Sequence, residues 1–285
     1  MVARSCAAVD YLGGNGIGAT GWYRRAMMQA AQPVGAMLRE WRQRRRMTQM
    51  DLALEADISP RHLSFVETGR AQPSREMLMH LCEELEVPLR ERNALLVSAG
   101  FAPLYRERLL QDEALAAARK AIEVVLEAQK PFPAFALDRH WNMVASNHAL
   151  PQLYEGIAAE LRAPPVNAIR LTLHPGGLAP RIANLAEWRA HLLSRLRRQA
   201  GLTADPKLAE LLRECSAYPV EGAFEDAALA REVLVPLRFR AGEQILSFFS
   251  TTTVFGSPVD VTLSELAIES FFPADAATAA AVRNA

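Results

Sequence analysis

The chain has 285 residues, with 32 Lys and Arg against 32 Asp and Glu; half of it is hydrophobic and 22% is charged. That composition is globular and excludes wholesale disorder, and the length suits two domains better than one. No apolar run reaches the ~18 residues of a membrane span and no secretory-signal pattern opens the chain, so no membrane contact and a cytoplasmic location are expected.

Cys6, Cys82 and Cys215 are odd in number and far apart. They form neither a disulfide framework nor a metal-site spacing, so inert or buried thiols and no cofactor or metal are expected. Charge is unevenly spread: 13 Lys and Arg against 11 Asp and Glu up to Leu104, then 19 against 21. The run Arg39, Arg42, Arg44, Arg45, Arg46, opposed by Glu40 alone, closes one predicted helix just before the next begins. A DNA-binding domain would meet phosphates there, with Arg44 and Arg45 as candidates; a solvated face is the plainer alternative.

Residues 1–32 are rich in Gly and Ala without a sustained period and read as a poorly ordered tail. Gly16-Ile17-Gly18-Ala19-Thr20-Gly21 matches the GxGxxG dinucleotide pattern. That pattern needs a strand before it and a crossover into a second strand. Only the short Val9-Asp10-Tyr11-Leu12 precedes it and helical segments follow, so the match reads as chance.

From Val34 the pattern becomes helical. Val34, Met37, Leu38 and Trp41 form one apolar stripe. Thr48 with Asp51 three residues on reads as a short capping box. Ser59 reads as the N-cap of a third helix that opens on Pro60, and Pro73-Ser74 as the start of a fourth. A fifth runs from about Pro88 to Ala99, and Gly100 suits its C′ position. Five short helices over residues 33–103 predict an all-α domain.

At about 100° per residue, Leu63 and Val66 define the inward side of the third helix. Arg61 then points away, and Ser64 and Phe65 lie toward solvent, as a recognition helix requires. Arg61 can bond a guanine O6 and N7 edge in bidentate fashion, and Phe65 can meet a thymine methyl or pack on its own domain. Gln49 is placed for a phosphate contact, and Ser59 and His62 complete the DNA-facing candidates. A helical bundle that binds protein instead of DNA is the alternative.

Thr48-Gln49 with Leu52-Ala53, Ile58-Ser59, Leu63 with Val66, and Glu67-Thr68-Gly69-Arg70 with Pro73 resemble the XRE class, the phage-repressor type of helix-turn-helix. The resemblance implies that Arg61, Ser64 and Phe65 face the bases and that Gln49 and Arg70 help hold the backbone. Pro60 departs from it, at a position often filled by a hydrogen-bonding residue.

Residues 104–130 read as a charged connecting helix with Leu115, Ile122, Val125 and Leu126 at helical spacing, able to pair with its copy in a dimer. Beyond Pro131-Phe132-Pro133, two strands are predicted around a turn at Asp138-Arg139-His140, with Asn147 as the N-cap of a following helix. Helices are predicted over Leu185 to Gln199 and Pro206 to Ala217, then strands over Val233 to Phe239, Ile245 to Phe255 and Leu266 to Phe272, before a tail at 278–285. The outline is α+β, an antiparallel sheet with helices on one face.

His62, His80, His140, His148, His174 and His191 show no ligand spacing, and neither a GxSxG elbow nor a phosphate loop is present. Catalysis has no positive support, and the protein is read as not an enzyme. Asp138 with Trp141 and Asn147, Leu173-His174-Pro175-Gly176-Gly177-Leu178, Asn184 with Glu187-Trp188, Thr253-Val254-Phe255-Gly256, Asp260 with Leu263, and Pro273-Ala274-Asp275 are similar to the MmyB-like regulators. The resemblance implies a PAS-like ligand-binding domain over 131–277 that senses a small hydrophobic molecule, with a fatty acid as the family's best suggestion. Trp141, Asn147, His174, Asn184 and Trp188 are the ligand-binding candidates, because an apolar pocket needs a few orienting polar groups.

The expectation is therefore an all-α five-helix helix-turn-helix domain followed by an α+β PAS-like domain. It would act as a homodimer on double-stranded DNA, with recognition helices roughly 34 Å apart. A C-terminal domain that only dimerises is the alternative, and an enzyme with a DNA-binding appendage, dependent on His174, is the rival from another class.

Overall fold

The computed structural model describes residues 9–11, 32–154, 156–220, 234–256 and 258–283. Cys6 and the glycine pattern at Gly16 to Gly21 lie outside them. The chain forms two compact units, each with its own core.

The first unit is helical: α1 (Val34–Arg44), α2 (Gln49–Glu55), α3 (Pro60–Glu67), α4 (Arg75–Glu84) and α5 (Leu89–Ser98). Its helix starts are where the caps place them. The Thr48 hydroxyl accepts from the Asp51 amide at 3.1 Å and the Asp51 carboxylate accepts from the Thr48 amide at 2.8 Å, a complete capping box. Ser59 accepts from the His62 amide at 3.1 Å with Pro60 in the first helical position, and Ser74 accepts from the Met77 amide at 3.2 Å. Leu38, Leu52, Leu63, Val66, Leu78, Leu81 and Leu95 are fully buried and make the core. Gly100, at φ +84°, follows α5 in the left-handed region that a glycine occupies without strain. Gly35 in α1 lies against the end of α3: a Cβ there would stand 2.2 Å from the Val66 carbonyl oxygen. Residues 258–264 also fall within this unit.

The second unit contains β1 (Val9–Tyr11), α6 (Ala116–Ala128), β2 (Ala134–Leu137), β3 (Met143–Asn147), α7 (Ala168–Leu173), α8 (Leu185–Thr203), α9 (Pro206–Ser216), β4 (Leu237–Ala241), β5 (Gln244–Val254), β6 (Ala267–Pro273) and α10 (Ala276–Arg283). The strands pair antiparallel in the order β1-β3-β2-β6-β5-β4. This is an α+β domain, as expected, and Gly242 at φ +59° turns β4 into β5.

Four expectations change. Val9–Tyr11, placed in the tail, pairs with β3 as an edge strand. The connecting helix is α6, whose buried Ile122 and Leu126 pack on the sheet of its own unit, so this stripe is not left for a dimer contact. All four residues of β2 are buried, so both of its faces are covered. Phe135 and Leu137 join the cluster under α7, α8 and α9, and α6 closes the other face over Ala134 and Ala136. Helices thus lie on both faces and not on one. Finally, part of the predicted tail is α10, held where buried Thr278 accepts a hydrogen bond from the Ser247 amide at 2.9 Å.

Asn147 is not a helix N-cap. It ends β3 fully buried, accepting from the Ala134 amide at 3.2 Å and donating to the Leu126 and Phe132 carbonyls at 3.3 and 2.8 Å. Backbone groups at the α6–β2 junction need these partners, because buried amides and carbonyls without one are costly. Cys82 and Cys215 are buried thiols whose pKa burial pushes up to about 12, so they stay protonated and inert.

Candidate functional site

The DNA-facing candidates lie on α2, α3 and the turn after α3. Leu63 and Val66 anchor α3 inward, and Arg61 is exposed on its other side. Phe65 is half-buried between two guanidinium groups, with Arg61 5.4 Å and Arg70 5.9 Å from the ring centroid. Each such contact contributes about 0.5–1 kcal/mol at an exposed site. The outward-facing Phe65 of the sequence reading is thus a platform for two cations on one surface. Ser64 is half-buried and its carbonyl accepts from the Thr68 hydroxyl at 2.7 Å.

Other candidates are engaged within the domain. Ser59 caps α3, and His62 Nε2 lies 3.2 Å from Met77 Sδ, turned toward α4. Arg45 donates to the Leu85 and Glu86 carbonyls, both at 2.8 Å, and stacks on Trp41 at 5.5 Å. It thereby serves the orphan carbonyls at the end of α4. Arg44 pairs with Glu40. Within the basic run, Arg39 and Arg46 are exposed, whereas Arg42 is buried.

Arg42 joins a network that the sequence reading missed. Its Nε lies 2.6 Å from Glu67 Oε1 and one terminal nitrogen 2.9 Å from Oε2, while the other donates to the Met47 carbonyl at 2.8 Å. Gln49 donates to the same carboxylate at 2.8 Å. Burial pushes the Glu67 carboxyl up, but hydrogen bonds from Arg42 and Gln49 and the Arg42 and Arg39 charges bring it below the ordinary glutamate range. Gln49 is therefore fixed by α3 at the start of α2.

In the second unit a cavity of about 70 Å3 lies between the sheet and its helices. The α8 residues Trp188, Leu192 and Arg195 share one face at i, i+4 and i+7 and line it. Phe135, Met143, Phe239, Phe248 and Phe271 line it from the sheet, and Ile169 and Leu171 from α7. Its walls are almost wholly apolar. The polar exceptions are a bidentate Arg195–Glu269 ion pair at 2.8 and 3.0 Å, Thr172, Tyr154 and Trp188. Thr252 also donates to Glu269, at 3.0 Å. Burial raises the Glu269 carboxyl, but the Arg195 hydrogen bonds and charge outweigh it and hold the group below its ordinary range. Trp141 forms part of the wall beneath the Arg195 guanidinium, 5.0 Å from its ring centroid, and donates its indole N–H to Gln199 at 2.7 Å.

Of the five ligand candidates, the structure brings Trp141 and Trp188 together on this cavity. Asn147 lies at the junction with α6, as described. His174 accepts from the Gly176 amide at 2.9 Å and meets Tyr218 edge-on at 5.0 Å. Asn184 lies in a separate open groove, where it donates to Glu187 and the Pro236 carbonyl at 2.7 and 2.8 Å and accepts from the Arg238 amide at 3.0 Å. Sequence reasoning missed Arg195 and Glu269. Glu269 left a signal, a lone charge among apolar strand residues, which is almost never buried unpaired; Arg195 sits among several arginines of α8 and left none.

Among the described residues, no group of His, Cys, Asp and Glu could hold a metal ion, and no helix is long and apolar enough to cross a membrane. A helix-turn-helix domain model matches residues 33–95. The model of the MmyB-like transcription regulator ligand binding domain matches residues 118–285, more than half of the chain. Transcriptional regulator ClgR of Mycobacterium tuberculosis, in strains CDC 1551 / Oshkosh and ATCC 25618 / H37Rv, is 35% identical over 88 residues, which are 31% of this chain and 70% of ClgR. A helix-turn-helix domain with a platform of two arginines is thus followed, in one chain, by an α+β domain with an apolar cavity, and the chain belongs to the family of MmyB-like transcription regulators.

Proposed function

We propose that the protein is a cytoplasmic, homodimeric regulator that reads a specific DNA sequence through α3 and senses a small hydrophobic, fatty-acid-like molecule in the cavity of its second unit. The observation that carries the sensing part is the cavity itself: apolar walls with a few polar groups, as ligand sites have. At about 70 Å3 it is smaller than the few hundred Å3 typical of ligand sites, so an acyl chain enters only if the lining side chains move apart. That requirement gives the ligand something to select. It shifts the regulator only through its different affinity for the closed and opened forms. The cavity is proposed as a site of binding and not of turnover.

Native mass spectrometry of the full-length protein, followed by denaturing extraction, tests the reading. A dimer carrying a few hundred daltons of extractable apolar molecule is the expected result. A dimer that neither carries nor takes up such a molecule would favour the dimerisation-only alternative, and a monomer on operator DNA would overturn the two-site geometry.

On the DNA side, Arg61 is proposed as the base reader, with Ser64 and Phe65 beside it and Arg70 and Gln49 toward the backbone. Arg61→Ala should weaken specific binding by about 1–3 kcal/mol and relax preference at one base pair. Unchanged affinity and preference in a binding-site selection would remove Arg61 from that role. Because Arg45 and Arg44 have partners within the domain, their replacement should change the salt dependence of binding less than replacement of exposed Arg39 and Arg46.

A further inference from the structure

Trp141 holds a backbone conformation that its side chain disfavours. Among the described residues, five that are not glycine have positive φ. Arg46, Asp57, Glu86 and Ala204 each close a helix, where the chain often turns left-handed. Trp141, at φ +66°, lies instead between β2 and β3. A bulky side chain is an outlier there, because its Cβ crowds the following carbonyl oxygen. Such strain persists only where the surroundings over-determine it.

The surroundings hold Trp141 at its backbone, its edge and its face. One oxygen of the Asp138 carboxylate accepts from the His140 and Asn142 amides at 2.8 and 2.9 Å, and the other from the Asn142 side chain at 2.9 Å. The Trp141 amide donates to the Asp138 carbonyl at 3.1 Å, and its own carbonyl accepts from the Ala168 amide at 2.8 Å. At the edge of the ring, Gln199 accepts from the indole N–H and is itself tied to the Arg139 carbonyl at 3.0 Å. Over the face lies Arg195, which Glu269 holds in turn. The ring therefore cannot swing aside without losing several of these contacts together. Leu150, Leu178 and Leu192 line the same cavity with hydrocarbon side chains that are kept in place by packing alone and can change rotamer.

We infer that Trp141 is the unyielding wall of the ligand site, the specificity residue that limits the length of chain the cavity accepts. Asp138 and Gln199 are its positioning residues. This rests on reading the cavity as the ligand site. With about 70 Å3 to start from, the room for a chain comes from the aliphatic walls, and it ends where the indole stands.

The test uses full-length protein at pH 7.5 and two probes, octanoate and tetradecanoate, both ionised at this pH. Calorimetric titration gives the affinity for tetradecanoate relative to octanoate. In Trp141→Gly, which suits the left-handed backbone, that ratio should rise at least about tenfold over wild type, the scale of burying about two further methylenes. Trp141→Phe should raise it less, and carries the test if the glycine variant fails to fold. Gln199→Leu, which frees the indole edge, should move the ratio in the same direction; no movement would remove Gln199 from its positioning role. If Trp141 only fills space in the core, its variants change both affinities alike, and an unchanged ratio would overturn the inference while the cavity reading stood. The indole N–H signal missing in Trp141→Phe should stay slow to exchange with deuterium when octanoate binds to wild type. Loss of that protection would show a ring that swings aside and would overturn the fixed wall. Binding of neither probe to wild type or variants would sink the cavity reading itself.

Discussion

Replacing Arg42 by methionine is expected to destabilise the helical domain by about 3–5 kcal/mol, read as a fall in the urea midpoint of its transition. Glu67 has a side chain only 1% exposed and would be left with Gln49 as its remaining partner. A buried carboxylate without its cation is far costlier than the absence of the whole pair. The double replacement Arg42→Met with Glu67→Leu should therefore recover most of the loss, although it also strands Gln49. The wild-type pair has a pH signature of defined sign. Because the Glu67 carboxyl is lowered in the folded state, its contribution is present above the unfolded value of about 4.5 and is lost as pH falls through the folded one. A single variant that loses less than about 1 kcal/mol at pH 7 would show that the network carries little of the fold.

A second large effect is expected at the cavity. Arg195→Met should cost the sheet-bearing domain about 3–5 kcal/mol at pH 7.5, because Glu269, its side chain 5% exposed, would keep only the neutral hydroxyls of Thr252 and Ser250. Here the pH dependence separates charge from packing. In the wild type the lowered Glu269 carboxyl contributes stability above about 4.5, lost as pH falls through its folded value. In the variant, the isolated carboxyl in an apolar wall is raised and takes up a proton more readily. The gap between the two proteins should thus be widest near neutral pH and narrow toward pH 5. Adding Glu269→Gln to Arg195→Met should restore part of the loss at pH 7.5. A gap that does not change with pH would assign the effect to the lost stacking of Arg195 on Trp141 and not to the stranded charge.

The helical domain was legible almost residue by residue, because its signals are local. Thr48 with Asp51, Ser59 with Pro60, and Ser74 each fix a helix start within four residues, and the side chain of each cap reaches only its own first turn. The second unit was legible in its elements and less so in its layers. Period-2 and period-3.6 patterns find strands and helices, but they do not say which face α6 covers, since Ala134 and Ala136 are small on a strand that is buried throughout. Val9–Tyr11 was read as tail because three residues make no pattern; their strand exists through pairing with residues 145–147, far along the chain.

The candidate residues divide in the same way. The exposure of Arg61 on α3 could be read from helical periodicity. Which arginines of the basic run remain open to solvent could not, because Glu67 and the carbonyls of Leu85 and Glu86 that engage Arg42 and Arg45 are 25 to 41 residues away. Arg195 with Glu269, 74 residues apart, is the same case.

The approach of Gly35 to the end of α3 has a mechanical consequence. Most helix contacts meet through side chains, which can tilt and absorb small displacements. Here backbone meets backbone: the Val66 carbonyl oxygen occupies the space a Cβ on Gly35 would need, and that of Glu67 borders it. Such a contact has almost no compliance. Any rotation or shift of α1 is handed to α3, and with it to the Arg61–Phe65–Arg70 surface, at nearly its full amplitude. The start of α1 is thus a lever on the proposed recognition surface without touching it.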